Sequence, residues 1–239
     1  MTKKILIVDN SIRKKCERCS QFHRHFSSKS SVLHPIERDL PKNLEQYSHI
    51  ILSGSGDSVN ELSEIYRKLR PLILKAQKLN IPLLGICYGF QAIVATFSDF
   101  TSVEHYQNPE IGWTKIYITS PSRIFKGLPK KFYAFENHTS SVAHLPNELR
   151  KTAISHRKNV QAFEHKDSPI FGVQFHPEST TYHGVRTVNY WLKRRIPFRW
   201  FTNIHKPPRY NPEIPEKIFY NFYHSTNEFK NQSPLRKFS

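Results

Sequence analysis

The sequence predicts an α/β fold built on a doubly wound, mostly parallel sheet, with short antiparallel strands added after it. Three observations predict this. Continuous apolar runs recur at residues 5–8, 50–52 and 81–86, as strands buried on both faces require. Helically spaced apolar residues lie between and after these runs, giving strand–helix alternation. From about Val103 the pattern changes to short strands separated by turn residues.

The elements follow in order. Residues 4–9 form the first strand, closed by Asp9-Asn10. A second is expected at 31–36, and a third at 48–52 ends in Ser53-Gly54-Ser55-Gly56. Leu62, Ile65, Leu69, Leu72, Ile73 and Ala76 share one face of a helix over 60–79, with Pro71 as a point of kinking. A buried strand over 81–86 leads into Cys87-Tyr88-Gly89, then an apolar helix over 90–97. Short strands are expected at 112–119, 131–135, 142–145, 151–155 and 160–165. A last strand, 170–175, runs into His176-Pro177-Glu178, and a helix over 185–194 follows. After Pro197 the chain turns proline-rich but keeps aromatics such as Trp200, Phe219 and Phe222. The expected division is a domain over 1–196 and an extension over 197–239. The extension packs at least in part, because disordered segments are aromatic-poor.

Composition narrows the function. The chain has 239 residues, enough to bury a sizeable core. No apolar run approaches the ~18 residues of a membrane span. Met-Thr-Lys-Lys leads straight into the first strand, so neither a signal peptide nor a transit leader is expected. Three cysteines do not make a disulfide scaffold, and a reducing, cytoplasmic setting is the simplest expectation. The net charge of +17 suits an anionic partner or plain solubility. Because the basic residues are spread along the chain without a dense block, nucleic-acid binding stays open but unsupported. Arg199-Trp200-Phe201 and residues 206–210 interleave charge and aromatics, and read as a packing or partner-docking segment before a nucleic-acid one.

Chemistry concentrates at two places. Gly85-Ile86-Cys87-Tyr88-Gly89 lies between a buried strand and an apolar helix, the arrangement of a nucleophile elbow with cysteine as the nucleophile. A strained strand-to-helix turn leaves no room for a Cβ two residues either side, and the helix N-terminus favours thiolate. A buried, inert cysteine in a Gly-flanked turn is the other reading of these five residues. His176-Pro177-Glu178 ends another strand. On an extended segment residues i and i+2 point to one side, and Pro177 stiffens that geometry, so Glu178 can orient His176 as a base and acid. Cys16, Cys19, His23 and His25 have locally metal-like spacing. The second ligand pair of a zinc module is missing, so a helix face after the first strand is the better reading.

The segments Gly-Ile-Cys-Tyr-Gly-Phe-Gln (85–91), Gly-Val-Gln-Phe-His-Pro-Glu-Ser (172–179), Lys-Ile-Leu-Ile-Val-Asp-Asn (4–10) and Ile-Ile-Leu-Ser-Gly (50–54) resemble the class I glutamine amidotransferase family, in its order and at about its spacing. The resemblance covers roughly residues 1–195 and implies a flavodoxin-like sheet. It also implies hydrolysis of the glutamine side-chain amide through a γ-glutamyl thioester. Carried over by motif, Cys87 is the nucleophile, His176 the base and acid, and Glu178 the orienting carboxylate.

The oxyanion donors implied are the amides of Tyr88 and of the Gly54-Ser55 turn. There the sequence departs from the family's Ser-Gly-Gly-Pro, with Ser55 and Gly56 in the last two places. Gln91 matches a family glutamine near the substrate. Asn137-His138-Thr139-Ser140-Ser141-Val142 resembles the segment that holds the substrate's α-amino and carboxylate groups, which brings in His138, Thr139 and Ser140. No cofactor and no metal is expected.

With no acceptor-modifying domain after residue 195, the expected partner is a separate synthase subunit receiving ammonia. The motifs resemble GMP synthetase glutaminases and anthranilate synthase subunits, with a slight lean to the former. A stand-alone γ-glutamyl hydrolase and a non-catalytic basic binding protein on the same fold are the alternatives.

Overall fold

The computed structural model describes residues 4–12, 19–26, 30–35, 37–60, 62–98, 100–207 and 209–225. Its sheet has nine strands in the order β2-β1-β3-β4-β9-β8-β7-β5-β6. The parallel half comprises β1 (Lys4–Val8), β2 (Ser30–Leu33), β3 (Tyr47–Leu52), β4 (Leu83–Ile86) and β9 (Ile170–Val173). From β9 the sheet turns antiparallel through β8 (Val160–His165), β7 (Leu149–Ser155), β5 (Val103–Ile118) and β6 (Lys131–Val142).

Alternation along the strands explains the double winding. Leu6, Val8, Ile50 and Leu52 pack under α2 (Glu64–Lys78) and α3 (Tyr88–Phe97). Ile5, Ile7 and Ile51 face α1 (Cys19–Phe26) and α5 (Glu213–Tyr223) on the other side. Each strand is apolar on both faces because each face is covered by helices. Among the described residues no helix is long and apolar enough to cross a membrane.

Several element boundaries differ from expectation, for physical reasons. The 60–79 helix begins only at Glu64, where the Ser63 hydroxyl caps the amide of Tyr66 at 3.1 Å. It runs unbroken through Pro71. That residue and Arg67, whose carbonyl loses its amide partner, both lie on the exposed face where water can replace the bond. The expected strand at 142–145 does not exist; β6 ends at Val142 and a loop follows. The expected strands 112–119 and 131–135 are halves of a longer hairpin. Its polar stretch 136–141 stays extended because β5 supplies polar partners opposite it, Glu110 facing His138 and His105 facing Ser140. The helix expected at 185–194 starts a turn earlier, as α4 (Thr181–Lys193), capped by Thr180. Gly184 does not break it. A Cβ there would lie 2.8 Å from the Trp113 ring, so this glycine lets α4 pack on the hairpin.

The C-terminal segment joins the molecule at two places. Residues 201–203 run beside β5, with the Trp113 amide bonded to the Asn203 carbonyl at 2.9 Å. Gly112, at φ +114°, makes room for this; a Cβ would meet the Asn203 oxygen at 2.4 Å. Beyond it, α5 buries Ile214, Ile218, Phe219 and Phe222 against the sheet, worth about 1.5–3 kcal/mol for each large side chain.

Candidate functional site

The site lies at the C-terminal ends of β3, β4 and β9, where open α/β sheets leave a crevice. Strand β4 ends at Ile86, α3 begins at Tyr88, and Cys87 makes the turn alone at φ 52°, ψ −102°. A positive φ on a residue with a Cβ is strained and persists only where the surroundings enforce it. Here the Cys87 amide donates to the Val173 carbonyl at 2.9 Å, and the Cys87 carbonyl accepts from the Gln91 amide at 3.1 Å. The flanking glycines permit the crossing. A Cβ on Gly85 would lie 2.5 Å from the Gly89 oxygen, and one on Gly89 would lie 2.4 Å from the Leu52 oxygen. The thiol is buried, with Sγ 4.0 Å from the Asn137 carbonyl oxygen and placed at the N-terminus of α3. A helix N-terminus carries a partial positive charge that favours thiolate.

His176 and Glu178 follow β9. The His176 amide donates to the Phe135 carbonyl at 2.8 Å, fixing the backbone, and its Nδ1 lies 2.7 Å from Glu178 Oε1. Both side chains are essentially removed from water, so the bond is strong and holds the ring's orientation. The Arg24 guanidinium of α1 reaches the Glu178 carbonyl oxygen at 3.4 Å.

Gly54 brings the two halves together. A Cβ there would lie 2.9 Å from His176 Cε1 and 3.4 Å from Cys87 Cβ, so imidazole and thiol carbon flank one spot. The turn is braced from behind. Ser53 Oγ accepts from the Asn10 amide at 2.9 Å and donates to the Gly54 carbonyl at 3.0 Å, while the Asn10 side-chain amide donates to the Ser53 carbonyl at 2.8 Å. Neither Gly54 nor Ser55 takes a positive φ, and Ser55 Oγ accepts from the Asp57 amide at 3.0 Å.

The remaining expected residues surround this spot in different ways. The Tyr88 phenol points away, 2.8 Å from Ser63 Oγ, which itself donates to Asp57 at 2.7 Å. Burial pushes this phenol's pKa up. Its amide, rather than its ring, belongs to the elbow. The Gln91 side chain is buried and donates to the Ser140 carbonyl at 3.1 Å and to Gln174 Oε1 at 3.2 Å, tying α3 to β6. Ser140 Oγ meets His105 Nδ1 at 2.7 Å, and Thr139 is half-buried. The His138 ring turns into the sheet: its Nδ1 bonds the Ser140 carbonyl at 2.9 Å, and its Nε2 lies 3.3 Å from Glu110 and 3.4 Å from Glu136.

Burial, followed by the charge of Glu110, drives the Glu136 carboxyl well above the usual range. Burial works the same way on Glu110. There the neighbouring His138 and Asn159 outweigh it and hold the carboxyl below its ordinary value.

The sequence carries no signal for Arg24, and none for the separate roles of Asn137 and Asn10 within their motifs. Asn137 offers its carbonyl to the thiol side, and its side chain is fixed by the Trp191 indole N–H at 2.7 Å. Of the metal-like cluster, Cys16 and the Cys19 side chain lie outside the described residues. Of the rest, the His23 Nδ1 lies 3.0 Å from Ser30 Oγ and His25 packs on Phe219 at 4.4 Å between ring centroids.

The family model for glutamine amidotransferase class-I matches residues 8–189. The chain is 36% identical over 135 residues to a subunit of the glutamine-hydrolyzing GMP synthase of Thermoplasma acidophilum, covering 56% of this chain and 65% of that protein. The corresponding GMP synthase subunit from Pyrococcus abyssi is 39% identical over 138 residues, covering 57% of this chain and 70% of the relative. The match thus spans about two thirds of these relatives' length. Among solved structures, a GMP synthase subunit protein from Thermoplasma acidophilum superposes with a TM-score of 0.71 at 26% identity, covering 97% of this chain and 99% of that one. A glutamine amidotransferase from Thermotoga maritima, at 22% identity and a TM-score of 0.70 over 92% of this chain and 96% of its own, shares the fold.

Proposed function

Since the chain belongs to the class I glutamine amidotransferase family, we propose that Cys87, His176 and Glu178 form its catalytic triad. In this reading they hydrolyse the side-chain amide of glutamine and deliver the ammonia to a separate synthase subunit of the GMP synthase kind. One observation carries the reading: the imidazole bound to Glu178 and the carbon bearing the elbow thiol meet at Gly54.

The chemistry follows from the geometry. The Cys87 thiolate, stabilised at the start of α3, attacks the glutamine Cδ and pushes electrons onto the amide oxygen. The amides of Tyr88 and Ser55 receive that oxyanion; losing one such donor costs about 10²–10³ in rate. Nδ1 of His176 is engaged by Glu178, so proton exchange falls to Nε2. It protonates the departing nitrogen, the C–N bond breaks, and ammonia leaves a γ-glutamyl thioester on Cys87. Water, deprotonated by the same nitrogen, then attacks the thioester; the C–S bond breaks and glutamate departs. Glu178 stabilises the imidazolium at each stage. The Ser140 and His138 backbone, held by Gln91 and by the hairpin, lines the place for the substrate's α-substituents.

The experiment is glutamate release from glutamine by purified protein, with and without a GMP synthase-type partner. Cys87→Ala is expected to remove it, and Glu178→Gln to slow it. Release by Cys87→Ala at the wild-type rate would sink the assignment. Faster cleavage of γ-glutamyl peptides than of glutamine, independent of partner, would favour a stand-alone hydrolase.

A further inference from the structure

Behind the substrate-facing edge of the β5–β6 hairpin lies a group of side chains that the glutaminase chemistry does not use. Glu110 of β5 and Glu136 and His138 of β6 converge with one ligand atom each, all within 4.8 Å of one another and all buried. A carbonyl can only accept, so the 2.9 Å bond from His138 Nδ1 to the Ser140 oxygen places the ring proton on Nδ1. The other ring nitrogen, Nε2, faces two carboxylate oxygens. Three potential ligand atoms confront one another in a buried site, a costly arrangement unless a proton or a cation lies between them. Both Glu136 oxygens are fully buried and, among the described residues, make no hydrogen bond; Oε2 has only the 3.4 Å contact with His138 Nε2.

We propose that Glu110, Glu136 and His138 hold a zinc-class divalent cation that ties β5 to β6. Three observations support it independently. First, the separations fit. A tetrahedral ion with bonds of about 2.0–2.1 Å holds its ligand atoms roughly 3.3–3.4 Å apart. His138 Nε2 lies 3.3 Å from Glu110 Oε2 and 3.4 Å from Glu136 Oε2, beyond the length of a good charge-assisted hydrogen bond. Second, the surrounding shell is built as metal sites build it, with the second ring nitrogen of the histidine donating to a backbone carbonyl. Glu110 Oε2 is aimed by the Asn159 and Gln161 side-chain amides at 2.9 and 2.8 Å. Third, the unsatisfied Glu136 carboxylate points into the cluster and has no other ligand there. One imidazole and two carboxylates suit a borderline cation better than calcium or magnesium. Because the ligands come from paired strands, the ion enters as the hairpin forms. The role assigned is structural, bracing the strand that carries Asn137.

Thiols would compete for zinc, so the test uses the full chain with Cys16→Ser, Cys19→Ser and Cys87→Ala. Refolded with equimolar zinc sulfate and gel-filtered, it is expected to retain one zinc per chain. Glu136→Gln in the same background is expected to weaken zinc binding at least tenfold while folding normally. X-ray absorption of the wild-type chain with one zinc is the second arm, since it does not depend on any variant folding. It should show nitrogen and oxygen ligands at about 2.0–2.1 Å and no sulfur. A folded chain that keeps no zinc, retention unaffected by Glu136→Gln, or sulfur in the shell would each overturn the proposal. None of these outcomes bears on glutamine hydrolysis, so the two readings fail separately.

Discussion

Replacing Gly54 by alanine adds one methyl at the point where the proposed nucleophile and base meet. The new Cβ would sit 2.9 Å from His176 Cε1, where ordinary contact begins at 3.4 Å, and at the edge of contact with Cys87 Cβ. The imidazole is held by its Glu178 bond on one side, so it must retreat from the thiol by about half an ångström. A misplacement of about 1 Å typically costs 10²-fold in rate. The expected loss in kcat is therefore roughly 10- to 100-fold, with KM for glutamine changed much less. Gly54 has no positive φ, so alanine brings no backbone strain and the unfolding free energy should move by no more than about 1 kcal/mol. The assay is steady-state glutamate release beside urea unfolding of the same preparation. Full activity in Gly54→Ala would refute the claim that ring and thiol carbon flank this turn so closely that one methyl displaces them. Lost activity with equally lost stability would show that the turn matters for folding instead.

Other consequences are equally open to measurement. Glu178→Gln keeps the shape but loses the charge that stabilises the imidazolium, and kcat should fall about 10²–10⁴-fold, measured as glutamate release. Ile218→Ala removes a fully buried side chain from α5. It should cost about 2–5 kcal/mol in urea unfolding, whereas a change under 1 kcal/mol would mean that α5 is not part of the core. His49 stacks on Tyr223, and burial lowers its pKa from 6.5 to about 4. The folded state therefore refuses a proton that the unfolded state accepts as pH falls below 6.5. Stability should drop by about 2 kcal/mol between pH 6.5 and 5, and level off below pH 4. The difference between His49→Phe and wild type in unfolding at these two pH values isolates this contribution.

What the sequence disclosed and what it hid divide along physical lines. The strand–cysteine–helix turn was legible because its requirements are local: Gly85 and Gly89 are needed within two residues of Cys87, and the contacts at 2.5 and 2.4 Å show why. His176 and Glu178 were legible as a pair because an extended backbone sets their relation. The long hairpin was not. Residues 136–141 are polar and look like a loop until β5 pairs with them and Glu136, His138, Ser140 and Ser141 are buried. For the same reason Glu110, Glu136 and His138 carried no joint signal; only strand register brings them together. Pro71 misled as a point of kinking, because the solvent beside its face of α2 is a tertiary fact.

The most direct measurement is an acid quench of the protein during turnover of labelled glutamine, followed by mapping of the label by peptide mass spectrometry. A γ-glutamyl adduct on the peptide containing Cys87, absent from Cys87→Ser, is the predicted result. Turnover that proceeds with that peptide unlabelled, or with the label on another residue, would contradict the covalent route through the elbow.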